Sequence, residues 1–134
     1  MNGAATSRAV VTPIAPPHSS RIEGIAVHSP YLTRELVREL AFTGGVFVDG
    51  VEAAMERIWA DLDAVDPRGD TAQVMRSLRE AKRRAALTIA LADIAGLWNL
   101  IDVTGAISEL AERTLAVSWR HALAEAIRRK KLPL

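Results

Sequence analysis

The stretch DTAQVMRSLREAKRRAALTIALADIAGL, residues 70–97, decides the fold. Asp70-Thr71-Ala72-Gln73 has the spacing of a capping box, in which the aspartate accepts from free first-turn amides and Gln73 reaches back. The helix this starts is expected to run to about Leu97. Its first half carries Arg76, Arg79, Glu80, Lys82, Arg83 and Arg84. From Ala85 to Ala95 it is almost wholly apolar. One end is therefore expected in solvent and the other buried on most sides. The apolar run from Ala85 to Ile101 falls short of a bilayer span and has Asp93 near its middle. A carboxylate at a bilayer centre costs roughly 2.5–3.5 kcal/mol, so a buried core helix is the better reading.

Working outward, Asp102-Val103-Thr104 starts a second long helix, with Asp102 as the expected cap. Val103, Ile107, Leu110, Ala111, Leu115, Trp119, Ala122, Leu123 and Ile127 mark its expected buried stripe. Arg128 to Lys131 lie at its C-terminal end, where cations favour the helix dipole. Upstream, Asp49-Gly50-Val51-Glu52 repeats the capping-box spacing, and Val51, Ala54, Met55, Ile58, Trp59 and Leu62 follow at helical spacing. Asp66-Pro67-Arg68-Gly69 ends that run in a turn. The earliest helix is predicted from Ser29-Pro30, a capping serine followed by a proline that fits the first helical position. Leu32, Leu36, Val37 and Leu40 form its apolar stripe. Thr33, Arg34, Glu35, Arg38 and Glu39 are expected on the opposite, polar side, and Gly44-Gly45 should stop it. The result is an all-α fold: a small bundle of about four helices with a long antiparallel C-terminal pair, joined by a short link. Residues 1–24, rich in Ala, Ser, Thr and Pro, read as a flexible leader, residues 25–131 as the helical domain, and residues 132–134 as a tail.

Composition agrees with one modest domain. The chain has 134 residues, of which 49% are hydrophobic and 4% aromatic, so alanine and leucine carry the apolar content and favour helices. A net charge of +1 provides no global field to recruit nucleic acid or an anionic membrane. The chain has no cysteine, which excludes disulfides and thiolate metal sites and fits a reducing cytoplasm. The opening residues lack the pattern of a signal peptide, because Pro13, Pro16 and Pro17 cut short the run after Arg8.

Residue types that could carry chemistry read mainly as structure. Asp61-Leu62-Asp63 is the single Asp-x-Asp. On a helix alternate residues point apart, so a solvated face is expected rather than a metal pair. The Arg76–Arg84 cluster could grip phosphate, but Glu80 stands four residues from both Arg76 and Arg84, an ordinary stabilising pattern, and no aromatic is interleaved for base stacking. Asp93 lies in an apolar run, so burial would demand a partner, and a structural ion pair is preferred to a catalytic role. His18, His28 and His121 have no metal-ligand spacing. Trp59, Trp98 and Trp119 are expected in the core.

Two stretches are informative together. One is Ser29-Pro30-Tyr31-Leu32-Thr33-Arg34. The other is AKRRAALTIALADIAG, residues 81–96, continued by VTGAISELA, residues 103–111. In this order and spacing, over roughly Ser29 to Leu123, the chain resembles the helical N-terminal portion of the bifunctional glutamine synthetase adenylyltransferase/adenylyl-removing enzymes. The family pattern carries Gly-Asn where Val27-His28 stands and proline where Leu40 stands. With leucine there, the first helix is expected to continue unbroken to Thr43. The resemblance implies nucleotidyl transfer: AMP moved from ATP to a tyrosine of glutamine synthetase, and removed again with phosphate. It implies ATP and Mg²⁺ as cofactors of the full-length enzyme and a cytoplasmic, nitrogen-regulating role. Glutamine synthetase and a downstream catalytic domain are the implied partners.

The family's Gly-rich turn and Asp-x-Asp pair are expected beyond this region, so no catalytic, cofactor-binding or metal residue is carried over, and the chain is expected to be inactive alone. A free-standing helical interaction module is the alternative. A basic helical nucleic-acid binder is a third and weaker reading.

Overall fold

A computed structural model describes residues 11–129. Six helices follow in order: α1 (His18–Ala26), α2 (Pro30–Arg38), α3 (Leu40–Asp49), α4 (Val51–Asp63), α5 (Thr71–Ile94) and α6 (Leu100–Arg128). The all-α class holds, with six helices among the described residues in place of about four. The boundary expected at residue 24 falls inside α1, and that at residue 131 lies outside the described residues.

The central helix is α5, and both of its halves bury a face. Its charged first half places Val74, Leu78 and Ala81 in one cluster with Met55, Ile58, Trp59 and Leu62 of α4 and Val117 of α6. Its apolar second half joins Leu87, Leu91 and Ala92 to Ile22, Leu32, Val46 and Val51 in the other cluster. Full burial of each valine, leucine or isoleucine among them contributes about 1.5–3 kcal/mol. α6 runs back along α5: His121, near its end, bonds through Nε2 to Thr71 Oγ1 at the start of α5 (2.9 Å), while its Nδ1 donates to Pro67 O (2.8 Å). The C-terminal pair is therefore antiparallel, as expected.

Side-chain caps explain two of the helix starts, those of α2 and α6. Ser29 accepts from the Leu32 amide at 3.2 Å, with Pro30 at the first helical position. At α6 the cap is Asn99 rather than Asp102. Asn99 accepts from the Asp102 amide (2.8 Å), and Asp102 accepts from the Asn99 amide (3.1 Å), a reciprocal capping box. Asp70 stands at the N-cap of α5 without a side-chain cap bond. The predicted box at Asp49 does not form. Gly50 is the N-cap of α4, and Asp49 instead accepts from Arg57 (3.1 Å).

Three expectations fail for tertiary reasons. Gly44-Gly45 does not end a helix but lies inside α3, because the helix is fixed by the wholly buried Val46. Packing here outweighs the ~1 kcal/mol that each glycine costs in a helix. The run from Ser29 is not continuous to Thr43. It breaks at Glu39 (φ −109°, ψ 42°), even with leucine in place of proline at position 40. Finally, much of the span expected as a flexible leader is fitted to the bundle. The Thr12 and Ile14 amides donate to the Asp49 and Phe47 carbonyls, both at 2.9 Å, and so satisfy the end of α3. Ile14 and Ile22 are buried, and the His18 Nδ1 donates to Ala95 O at the C-cap of α5 (2.8 Å). A proline-containing segment with few apolar residues gave no period from which this could be read.

Candidate functional site

A groove of about 550 Å³ lies between α4 and the start of α6. Met55, Trp59, Trp98 and Ala106 provide its apolar surface. Glu52, Glu56, Asp102 and Glu109 supply carboxylates, and no lysine or arginine is among the lining residues. Three of these carboxylates already serve the fold. Glu52 accepts from the Trp98 indole N–H (2.8 Å) and so ties α4 to the α5–α6 link. Asp102 closes the capping box. Glu109 accepts from Arg113 (2.8 Å), whose guanidinium also reaches Asp63 (3.4 Å) and lies 4.9 Å from the centre of the Trp59 ring. This surface suits contact with a cationic or amide-bearing segment. It offers no arranged nucleophile or general acid–base pair.

A second polar centre joins the α2–α3 break to α5. Glu39 is 7% exposed, and its two carboxylate oxygens accept from Arg83 Nε (2.5 Å) and Arg84 Nε (3.0 Å). Arg84 also reaches Glu80 (3.3 Å) and lies 5.2 Å from the centre of the Phe42 ring. Burial alone would raise the Glu39 carboxyl. The hydrogen bonds and charges of Arg83 and Arg84 outweigh it and hold the group below its ordinary value. This is a structural clasp: each carboxylate oxygen accepts from one guanidinium Nε. At the end of α6, hydrogen bonds from Arg128 likewise lower the Glu125 carboxyl.

The residues singled out from the sequence do not converge. Asp61 and Asp63 are exposed on α4, as expected, and Asp63 faces Arg113. Arg76 and Arg79 are exposed, while Arg83 turns inward to Glu39, so the three do not act as one patch. Glu35 and Glu39, expected on the polar side of the first helix, are both buried. Asp93 is exposed rather than buried, because the apolar half of α5 leaves one narrow side to solvent, so no buried partner is required. His18 and His121 bind backbone carbonyls of other elements. Trp59 is buried and Trp98 half-buried, but Trp119 is exposed on α6. The Glu39 clasp escaped sequence reading because helical spacing alone put Glu39 outside. The available signal was the Arg83-Arg84 pair at the point where α5 turns apolar.

Among the described residues no group of three or more His, Asp or Glu side chains is arranged to hold a metal ion. Gly44, Gly45 and Gly105 lie inside helices. No helix among the described residues is long and apolar enough to cross a membrane.

Comparison with known proteins adds what the geometry lacks. The family model for glutamate-ammonia ligase adenylyltransferase matches residues 15–134. The bifunctional glutamine synthetase adenylyltransferase/adenylyl-removing enzyme of Xanthobacter autotrophicus is 37% identical over 109 residues, covering 81% of this chain and 11% of the relative. The enzyme of the same name from Rhodopseudomonas palustris strain BisB5 is 36% identical over 114 residues, covering 84% of this chain and 12% of the relative. That of Bradyrhizobium diazoefficiens is 36% identical over 111 residues, covering 81% and 11%. The chain thus spans 11–12% of the length of these relatives. No solved structure matches.

Proposed function

From the premise that this chain belongs to the glutamate-ammonia ligase adenylyltransferase family, we propose that it is the helical N-terminal frame of an enzyme that adenylylates and deadenylylates glutamine synthetase. In this reading the whole enzyme moves AMP from ATP to a tyrosine of glutamine synthetase and removes it with phosphate, using Mg²⁺ in the cytoplasm. The residues of this chain position the remainder rather than perform the transfer. The observation that carries the reading is the family match across residues 15–134, combined with described side chains committed to capping, clasping and packing.

The 134-residue chain, incubated with glutamine synthetase, ATP and Mg²⁺, is expected to leave the target unmodified. Intact-mass spectrometry of glutamine synthetase checks this. An AMP adduct that accumulates in proportion to the added chain would overturn the reading.

The exposed apolar residues of α6 favour a second reading, a non-catalytic interaction module that binds glutamine synthetase itself. Co-migration of the chain with unmodified glutamine synthetase in size-exclusion chromatography would support it.

A further inference from the structure

α6 is long, yet few of its residues are buried. Over its 29 residues only Thr114, Val117 and His121 are buried. At about 100° per residue these share an inner side with Leu110 and Ala124, toward α5 and α4. The stripe expected to be buried lies on another side. Ile107, Ala111, Leu115, Trp119, Ala122 and Leu123 are all exposed. Leu100 is 76% exposed, Leu115 70% and Trp119 65%. The helix therefore has two apolar sides, and the bundle uses one.

The outer side is free of charge. Thr104, Ser108 and Ser118 complete it between Leu100 and Ala122, and all three are exposed. Asp102, Glu109, Glu112, Arg113 and Arg120 project from one flank. At 1.5 Å per residue the uncharged strip is about 33 Å long. A solvated helix side is ordinarily studded with charge, and an extended apolar strip with a charged border marks a contact surface.

We infer that this outer side of α6 is the docking surface for the part of the family polypeptide that the chain does not match. The inference rests on the proposed role as a frame. Nearly nine tenths of the length of each relative lies outside the matched region, so a family enzyme contains a large body able to cover the strip. A charge-free strip calls for an apolar face on that body, with the flanking Glu112 and Arg120 left at a polar rim. Leu115 and Trp119, one helical turn apart, are its anchors.

The test uses the full 134-residue chain and the Xanthobacter autotrophicus relative produced without its matched segment. Wild-type chain is expected to bind that remainder in sedimentation velocity. The double variant Leu115→Lys/Trp119→Glu should bind at least about tenfold more weakly, the scale of losing central interface anchors. Because both positions are exposed, its melting temperature should stay close to that of wild type. An Arg76→Glu/Arg79→Glu variant, on an exposed part of α5, should bind normally. Equal binding by the Leu115/Trp119 variant would overturn the docking surface while leaving the frame reading intact. No binding by wild type would overturn both. Self-association of the chain alone, abolished by the same double variant, would assign the strip to a second copy and overturn the inference.

Discussion

Substituting Gly50 with alanine will destabilise the chain by about 3–5 kcal/mol, whereas the same substitution at Gly44 will not. Gly50 separates α3 from α4 with φ 96° and ψ 167°, a region open almost only to glycine. A Cβ there would lie 2.2 Å from the Thr12 carbonyl oxygen and 3.0 Å from its carbonyl carbon. Both are backbone atoms, so no side chain can rotate away. Relief requires the 11–14 segment to leave α3, with loss of the Thr12–Asp49 and Ile14–Phe47 hydrogen bonds and of buried Ile14. The forbidden conformation accounts for roughly 1–3 kcal/mol, and the lost bonds and burial supply the rest. Gly44 lies within α3 with no atom within 4 Å of a Cβ, so alanine should stabilise there by roughly 0.5–1 kcal/mol. Urea unfolding of the two variants checks the contrast. Equal midpoints would show that the 11–14 segment does not press on Gly50.

The second large effect is expected at Glu39. Glu39→Gln keeps the shape but removes the charge that faces Arg83 and Arg84. Breaking a buried pair costs ~3–5 kcal/mol, and because the two arginines are partly exposed a loss of about 2–3 kcal/mol is expected at neutral pH. The folded carboxyl lies below its ordinary value, so its contribution is fully present above the unfolded value, near 4.3, and disappears as pH falls through the folded value. Wild type and variant should therefore differ at pH 7 and converge in acid. Chemical unfolding at a series of pH values between 7 and 3 provides the comparison. A constant difference across that range would mean that the carboxylate charge does not hold the clasp.

These two sites show which parts of the molecule were legible in the sequence. Ser29-Pro30 was readable because a cap is local chemistry. α5 was readable because 24 helical residues carry their own period. The all-α class followed from these and from the alanine and leucine content. The strain at Gly50 has no local signal, since its close neighbour Thr12 is far away in sequence. α1 has one fully buried residue, Ile22, too little for a period. Glu39 was placed outside because charge normally seeks water, and only the fold brings two arginines to it.

The error on α6 has a different origin. Periodicity correctly found an apolar stripe there but could not say which body covers it. The helix carries two such sides, and the stronger one faces away from this bundle. As for chemistry, the Asp-x-Asp, the histidines and Asp93 each had a structural reading from the start. Asp93 needed no partner, being exposed. What the sequence carried about function came through family resemblance rather than through any constellation of reactive groups.

A segment exchange tests the role of this chain as a helical frame. The matched segment of the Xanthobacter autotrophicus enzyme is replaced by residues 15–134 of this chain, and adenylyl addition to and removal from glutamine synthetase are assayed against the same enzyme lacking the segment. If the chain is the helical frame of such an enzyme, the exchanged protein will regain activity that the deleted protein lacks. A properly folded exchange protein no more active than the deletion would contradict it.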